Sequence, residues 1–218
     1  MKMKVRKNSF WVLLFLVIVL LCMTAPLYAV YSPTEVDLGS VLQKPDAVHW
    51  FGTDRFGRDL FTRVLYGARI SLMVGIVTAV INTIIGVIYG GIAGYVGGRV
   101  DMWMMRLTDI LYSIPELLYI ILIMLIFGSN VRSIIIGVCV AGWISMARMV
   151  RSQIITLKEQ EFALAAFVLG ANSRRILFKH LIVNSLGTII VTITLMIPQA
   201  IFMEAFLSFV GVGILAPM

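Results

Sequence analysis

Five apolar runs dominate the chain: Phe10–Tyr31, Ile70–Val96, Met102–Phe127, Val131–Met149 and Leu181–Val210. A helix of about 20 apolar residues crosses a hydrocarbon core of about 30 Å. Backbone groups have no water to bond to in lipid, so each run must satisfy its own N–H and C=O groups. The runs therefore predict an all-α fold, a polytopic bundle of transmembrane helices. Soluble domains are about half apolar and about a quarter charged; this chain is 60% hydrophobic and 13% charged. Little mass is left for a soluble domain.

Charge placement orients the bundle. Lys2, Lys4, Arg6 and Lys7 precede the first run with no acid among them. That pattern keeps the N-terminus in the cytoplasm. The first run exceeds the apolar core of a secretory signal, about 7–15 residues, and reads as a retained span. Counted by side, the cytoplasmic segments hold twelve of the 18 Lys and Arg residues. The net charge of +7 follows from this orientation and does not call for nucleic acid. Cys22 and Cys139 lie inside apolar runs and read as packing residues.

Residues 32–69 form the longest hydrophilic segment, placed outside the cytoplasm. Pro33, Pro45, Gly52 and Gly57 mark turns, and Gly57–Leu72 has the spacing of a helix at the membrane surface. His49 with Asp54 and Asp59 is too sparse for a metal site, so turn-making and loop-locking roles are expected. In the second run Gly86, Gly90, Gly94 and Gly98 recur every fourth residue. Such a row lets another helix backbone approach closely, within this subunit or in a sister subunit. Asp109, Glu116 and Glu204 fall in or near spans, where carboxylates are costly and often functional.

The stretch Lys158–Asn184 is different. Glu159–Leu169 predicts a helix of about 11 residues, roughly 16 Å long, too short to span. Phe162, Ala165, Ala166 and Leu169 make one apolar face, with Ala163 and Phe167 off it. Gly170 predicts a left-handed helix end, and Asn172 and Ser173 a cap for the next helix. Arg148, Arg151, Lys158, Arg174, Arg175 and Lys179 flank the stretch, on the cytoplasmic side by the same rule. A short helix there with unspent apolar surface calls for a protein partner.

Glu161, Ala165-Ala166, Gly170, Ala171, Ile176, His180 and Asn184 resemble the EAA loop of ABC-importer permeases. His49-Trp50-Phe51-Gly52-Thr53-Asp54, Gly57-Arg58-Asp59, Arg63 and Gly67–Leu72 are similar to the segment before the core spans in the dipeptide, oligopeptide and nickel class. Ala93-Gly94-Tyr95, Gly97-Gly98, Asp101, Arg106, Asp109, Pro115, Gly142-Trp143, Ala147-Arg148, Arg151, Glu204, Leu207-Ser208-Phe209, Gly211 and Gly213 extend the resemblance over residues 49–213. Val183 departs from it, standing where the family has Pro.

The resemblance implies a type I importer permease, of the second-permease type, in a bacterial or archaeal plasma membrane. Its domains would be the tail and first span (1–31), an extracytoplasmic loop with its interfacial helix (32–69), and a core (70–218). The core would hold spans near 70–96, 102–127, 131–149 and 181–210 and a coupling segment at 158–180. Partners implied are a homologous permease, two cytoplasmic ATPases and an extracytoplasmic binding protein. Glu161, Phe162, Ala165, Ala166, Gly170 and Ala171 would dock on an ATPase. The cargo would be a di- or oligopeptide, with nickel or a metal chelate as the alternative.

No phosphate-binding loop or catalytic array occurs, so no enzyme activity, cofactor or resident metal is expected. Five spans would leave the C-terminus outside and one helix short of the family pattern, as in a truncated product. A second reading makes Asp109, Glu116 and Glu204 the relay of a proton-coupled transporter, and a third makes the chain a scaffold without a path.

Overall fold

The computed structural model describes residues 2–213, and side chains from Phe10 onward apart from those of 11 and 12. Residues 214–218, and with them the expected outside placement of Met218, lie outside the described residues. Among the described residues there is no strand, only an isolated bridge between Thr53 and Asp59. The residues fall into two compact units, 2–73 and 74–213.

The first unit opens with helix α1, Lys2–Tyr28, in which Leu13–Tyr28 is a shorter apolar stretch. The hydrophilic loop that follows is held by carboxylates bonded to backbone. Asp37 accepts from Gly39 N at 2.9 Å and starts a single 3-10 turn, Leu38–Ser40. Asp46 accepts from the Val48 and His49 amides at 2.8 and 2.6 Å. Asp54 takes the Phe56 and Arg58 amides at 2.8 and 3.0 Å, and its other oxygen pairs with Arg58 and Arg63.

Asp59 caps helix α2, accepting from Thr62 N at 2.7 Å, and faces His49 Nδ1 at 3.0 Å. Burial pushes the Asp54 and Asp59 carboxyls up, but the amide and side-chain donors outweigh it and both end below their usual range. Gly57 has φ +72°, and a Cβ there would land on the Asp37 carbonyl. The expected loop-locking roles of Asp54, Asp59 and His49 are thus seen as hydrogen bonds.

Helix α2 runs unbroken from Leu60 to Val96. The surface helix expected at 57–72 and the span expected from 70 are one element. No proline interrupts Leu60–Ile70, and Gly67 stands there alone, so nothing in the chain ends the helix between them.

In the second unit α3 is Gly98–Tyr112 and α4 is Glu116–Phe127, meeting at a 71° bend. The span expected over 102–127, with Pro115 inside it, takes the form of this bent pair. Pro115 supplies the reason: it has no N–H, and its ring displaces the carbonyl four residues back. Pro198, by contrast, is carried inside the continuous helix α9, Ile182–Val210.

Gly128 turns α4 into α5, Val131–Ala141, capped by Asn130, whose side chain accepts from Ser133 N at 3.0 Å. A Cβ on Gly137 would come within 2.7 Å of Ile120 Cα, so α4 and α5 lie in direct contact there. Helix α6, Trp143–Lys158, follows α5 after Gly142 alone.

Three helical stretches are long and apolar enough to cross a membrane: Leu60–Val96, Val131–Lys158 and Ser173–Val210, with the bent pair as a fourth. The core of this unit gathers on α6, where Met146, Val150 and Ile154 are fully buried against Ala79, Leu181 and Ile189.

Candidate functional site

Two regions carry the functional expectations: the segment after α6, and a cleft among α2, α4, α5, α6 and α9.

The segment begins with α7, Glu161–Val168. Its end is closed by paired bonds, Ala171 N to Ala166 O and Gly170 N to Phe167 O, both 3.0 Å. This is the Schellman arrangement, which requires a left-handed residue; Gly170 has φ +81°. Asn172 then accepts from Arg175 N at 2.8 Å and caps α8, Ser173–Arg175. A wide π turn, Ile176–Leu181, carries the chain into α9 without a break. Val183 sits inside α9, where proline would have removed a helical donor.

Helix α7 turns inward Ala163, a residue off the apolar face read from spacing. Ala163 is buried and Ala166 half-buried, against Ile176, Leu177 and Leu181. Positions 163 and 166 are three apart and so share a face, and their small side chains let α7 lie close to the π turn. Phe162 and Ala165 are on the exposed side. Phe167, Val168 and Leu169 are 70%, 83% and 86% exposed. The exposed apolar surface is made mainly of the residues around the helix end. Glu161 is exposed in the first turn, and Ala171 packs partly against the core.

The glycine row has three members. A Cβ on Gly86 would meet Met146 Cβ at 2.6 Å and on Gly94 the Arg151 carbonyl at 2.7 Å; on Gly90 it would fall on the Ala147 carbonyl. The row seats α2 against α6 within this chain. Gly98 is not part of it: it has φ +56° in open space, at the start of α3, because the helix ends at Val96. At the same end of the seam Arg151 makes a two-pronged ion pair with Asp101, and Lys158 Nζ donates to Tyr95 O at 3.0 Å.

The three membrane carboxylates have separate surroundings. Asp109 is exposed and pairs with Arg148 at 2.8 Å, whose guanidinium also lies over the Tyr112 ring. Glu204 is buried and accepts from Ser208 Oγ at 3.1 Å. Glu116 is half-buried and lines a cleft of about 790 Å³. The cleft wall includes Asn82, Tyr112, Ser145, Gln199 and Phe206. Sequence reasoning missed Asn82, Ser145 and Gln199, polar residues inside apolar runs.

Residues 86–218 match the family described as binding-protein-dependent transport system inner membrane component. The chain is 46% identical over 206 residues to an oligopeptide transport system permease protein of Bacillus subtilis (strain 168), covering 94% of this chain and 68% of that one. It is 47% identical over 216 residues to a dipeptide transport system permease protein of the same organism, covering 99% and 67%. With an oligopeptide transport system permease protein of Escherichia coli (strain K12) it shares 44% over 208 residues, covering 94% and 69%. The chain thus spans about two thirds of the length of these relatives. With a helical bundle of several membrane-crossing lengths and relatives this similar, the chain is a multi-pass membrane protein that belongs to the binding-protein-dependent transport system inner membrane component family.

Proposed function

We propose that this chain is one permease subunit of an ATP-driven peptide importer. A homologous permease completes the translocation path, two cytoplasmic ATPases supply the energy, and an extracytoplasmic binding protein delivers the peptide. The peptide cargo follows from the names of the relatives, oligopeptide and dipeptide permeases, and displaces the nickel alternative. The proton-relay reading is weaker, since Asp109 is ion-paired and Glu204 is hydrogen-bonded.

One observation carries the coupling role. Helix α7 is held to its own chain by Ala163 and the Schellman turn, while Phe162, Leu164, Phe167, Val168 and Leu169 are left exposed. On the cytoplasmic side that surface has no lipid to cover it, and an ATPase groove is the cover this reading assigns. Glu161 contacts the ATPase or favours the helix N-terminus, where an acid complements the dipole. Closure of the ATPases would move α7 and with it α6 and α9, opening the path alternately to each side.

The test is a double substitution, Phe167→Asp with Leu169→Asp. Copurification of the ATPases with the membrane complex should fall steeply while membrane insertion persists. Unchanged copurification and unchanged ATP-driven uptake would overturn the coupling assignment.

A further inference from the structure

The cleft holds two polar groups that its own chain leaves unmet. Glu116 is, among the described residues, the only carboxylate on the cleft wall. Among the described residues no cation or hydrogen-bond donor pairs with it; the arginines of α6 are spent, Arg148 on Asp109 and Arg151 on Asp101. Asn82 is 2% exposed, and its Oδ1 has no hydrogen-bond partner among the described residues. Its amide lies against Gly142, where a Cβ would come within 2.5 Å of Nδ2, so the side chain has been given room beside the cleft by a missing one.

A buried amide oxygen without a donor costs free energy until a ligand supplies one. A carboxylate inside a helical membrane bundle is costly in the same way, and a cation offsets that cost. Helix α4 places Glu116 deep: eleven residues separate it from the turn at Gly128, a rise of about 18 Å. The cleft volume falls in the range of small-molecule sites, about 300–1,000 Å³.

We propose that this cleft contacts the peptide in transit, with Glu116 taking the terminal ammonium and Asn82 Oδ1 accepting a main-chain N–H. The assignment rests on the peptide-importer reading. It makes the cleft selective: a peptide with a free amine matches the carboxylate, whereas an N-acetylated one leaves it unpaired. Tyr112 and Phe206, also on the wall, supply apolar surface that tolerates varied side chains.

The test uses the complete importer in proteoliposomes, with the binding protein saturated by trialanine or by N-acetyl-trialanine. The readouts are ATP-driven uptake of each peptide and copurification of the second permease. In the unmodified importer trialanine should be preferred. Glu116→Gln should narrow that preference by about tenfold or more, as expected for removing one partner of a desolvated charge pair. Glu116→Asp should retain most of it.

An unchanged ratio in Glu116→Gln would overturn the proposal. Loss of the second permease from that complex would also overturn it, assigning the carboxylate to a cation of that subunit. An unmodified importer that takes up neither peptide would sink the peptide reading itself, and this inference with it.

Discussion

At the residue scale, Gly170 shows how a single backbone angle decides a local structure. Its φ of +81° lies in the left-handed region, and a Cβ there would meet nothing within 4 Å. Substitution therefore acts through strain alone, not through a clash. Gly170→Ala should cost about 1–2 kcal/mol of local stability, and Gly170→Asn less, since Asn tolerates that conformation. Limited proteolysis of the segment 168–173 in purified protein checks this: cleavage should rise in the order Gly, Asn, Ala. Equal protection in all three would mean that the Schellman turn does not hold the end of α7. This turn, and the Asn172 cap beyond it, were legible in the sequence because both are local; their partners lie within five residues.

At the element scale, legibility ends where packing begins. The rule that glycines four apart line one helix face correctly drew attention to Gly86, Gly90 and Gly94. The run ended at Val96 in the sequence as α2 does in the fold, which takes Gly98 off that face and puts it at the start of α3. Helical spacing offered several apolar faces on α7. The burial of Ala163, instead of Phe162 or Ala165, was decided by the distant Ile176 and Leu181. The two prolines look alike in sequence, yet α3 and α4 break at Pro115 while α9 continues through Pro198. The seam itself is open to measurement. Gly90→Leu should force α2 off the Ala147 carbonyl and lower thermal stability in detergent by about 1–3 kcal/mol, the usual cost of overpacking. Gly67→Leu, on the same helix with open space around it, is the control and should leave stability nearly unchanged. Equal melting of both variants would remove the seam as a packing device.

At the scale of the whole molecule, orientation is the remaining expectation, resting on the placement of Lys and Arg. Single cysteines at Ser40 and Ser173, in a background lacking Cys22 and Cys139, read it directly. A membrane-impermeant thiol reagent added to intact cells should label position 40 and spare 173. Labelling at 173 would put α7 on the side away from any cytoplasmic ATPase. If 173 is cytoplasmic, α6 becomes the part of the molecule with most to transmit. Lys158 at one end adjoins α7, and Gly142 and Ser145 at the other end line the cleft. The helix between them is sixteen residues long, about 24 Å. Along that length the α2 glycines let its backbone lie close against α6, and Tyr89 lays its ring against Trp143. In the importer proposed above, α6 would act as a strut in a close-fitting sleeve: a displacement entering at Lys158 would reach the cleft wall, and the stroke of the motor and the opening of the path would share one scale.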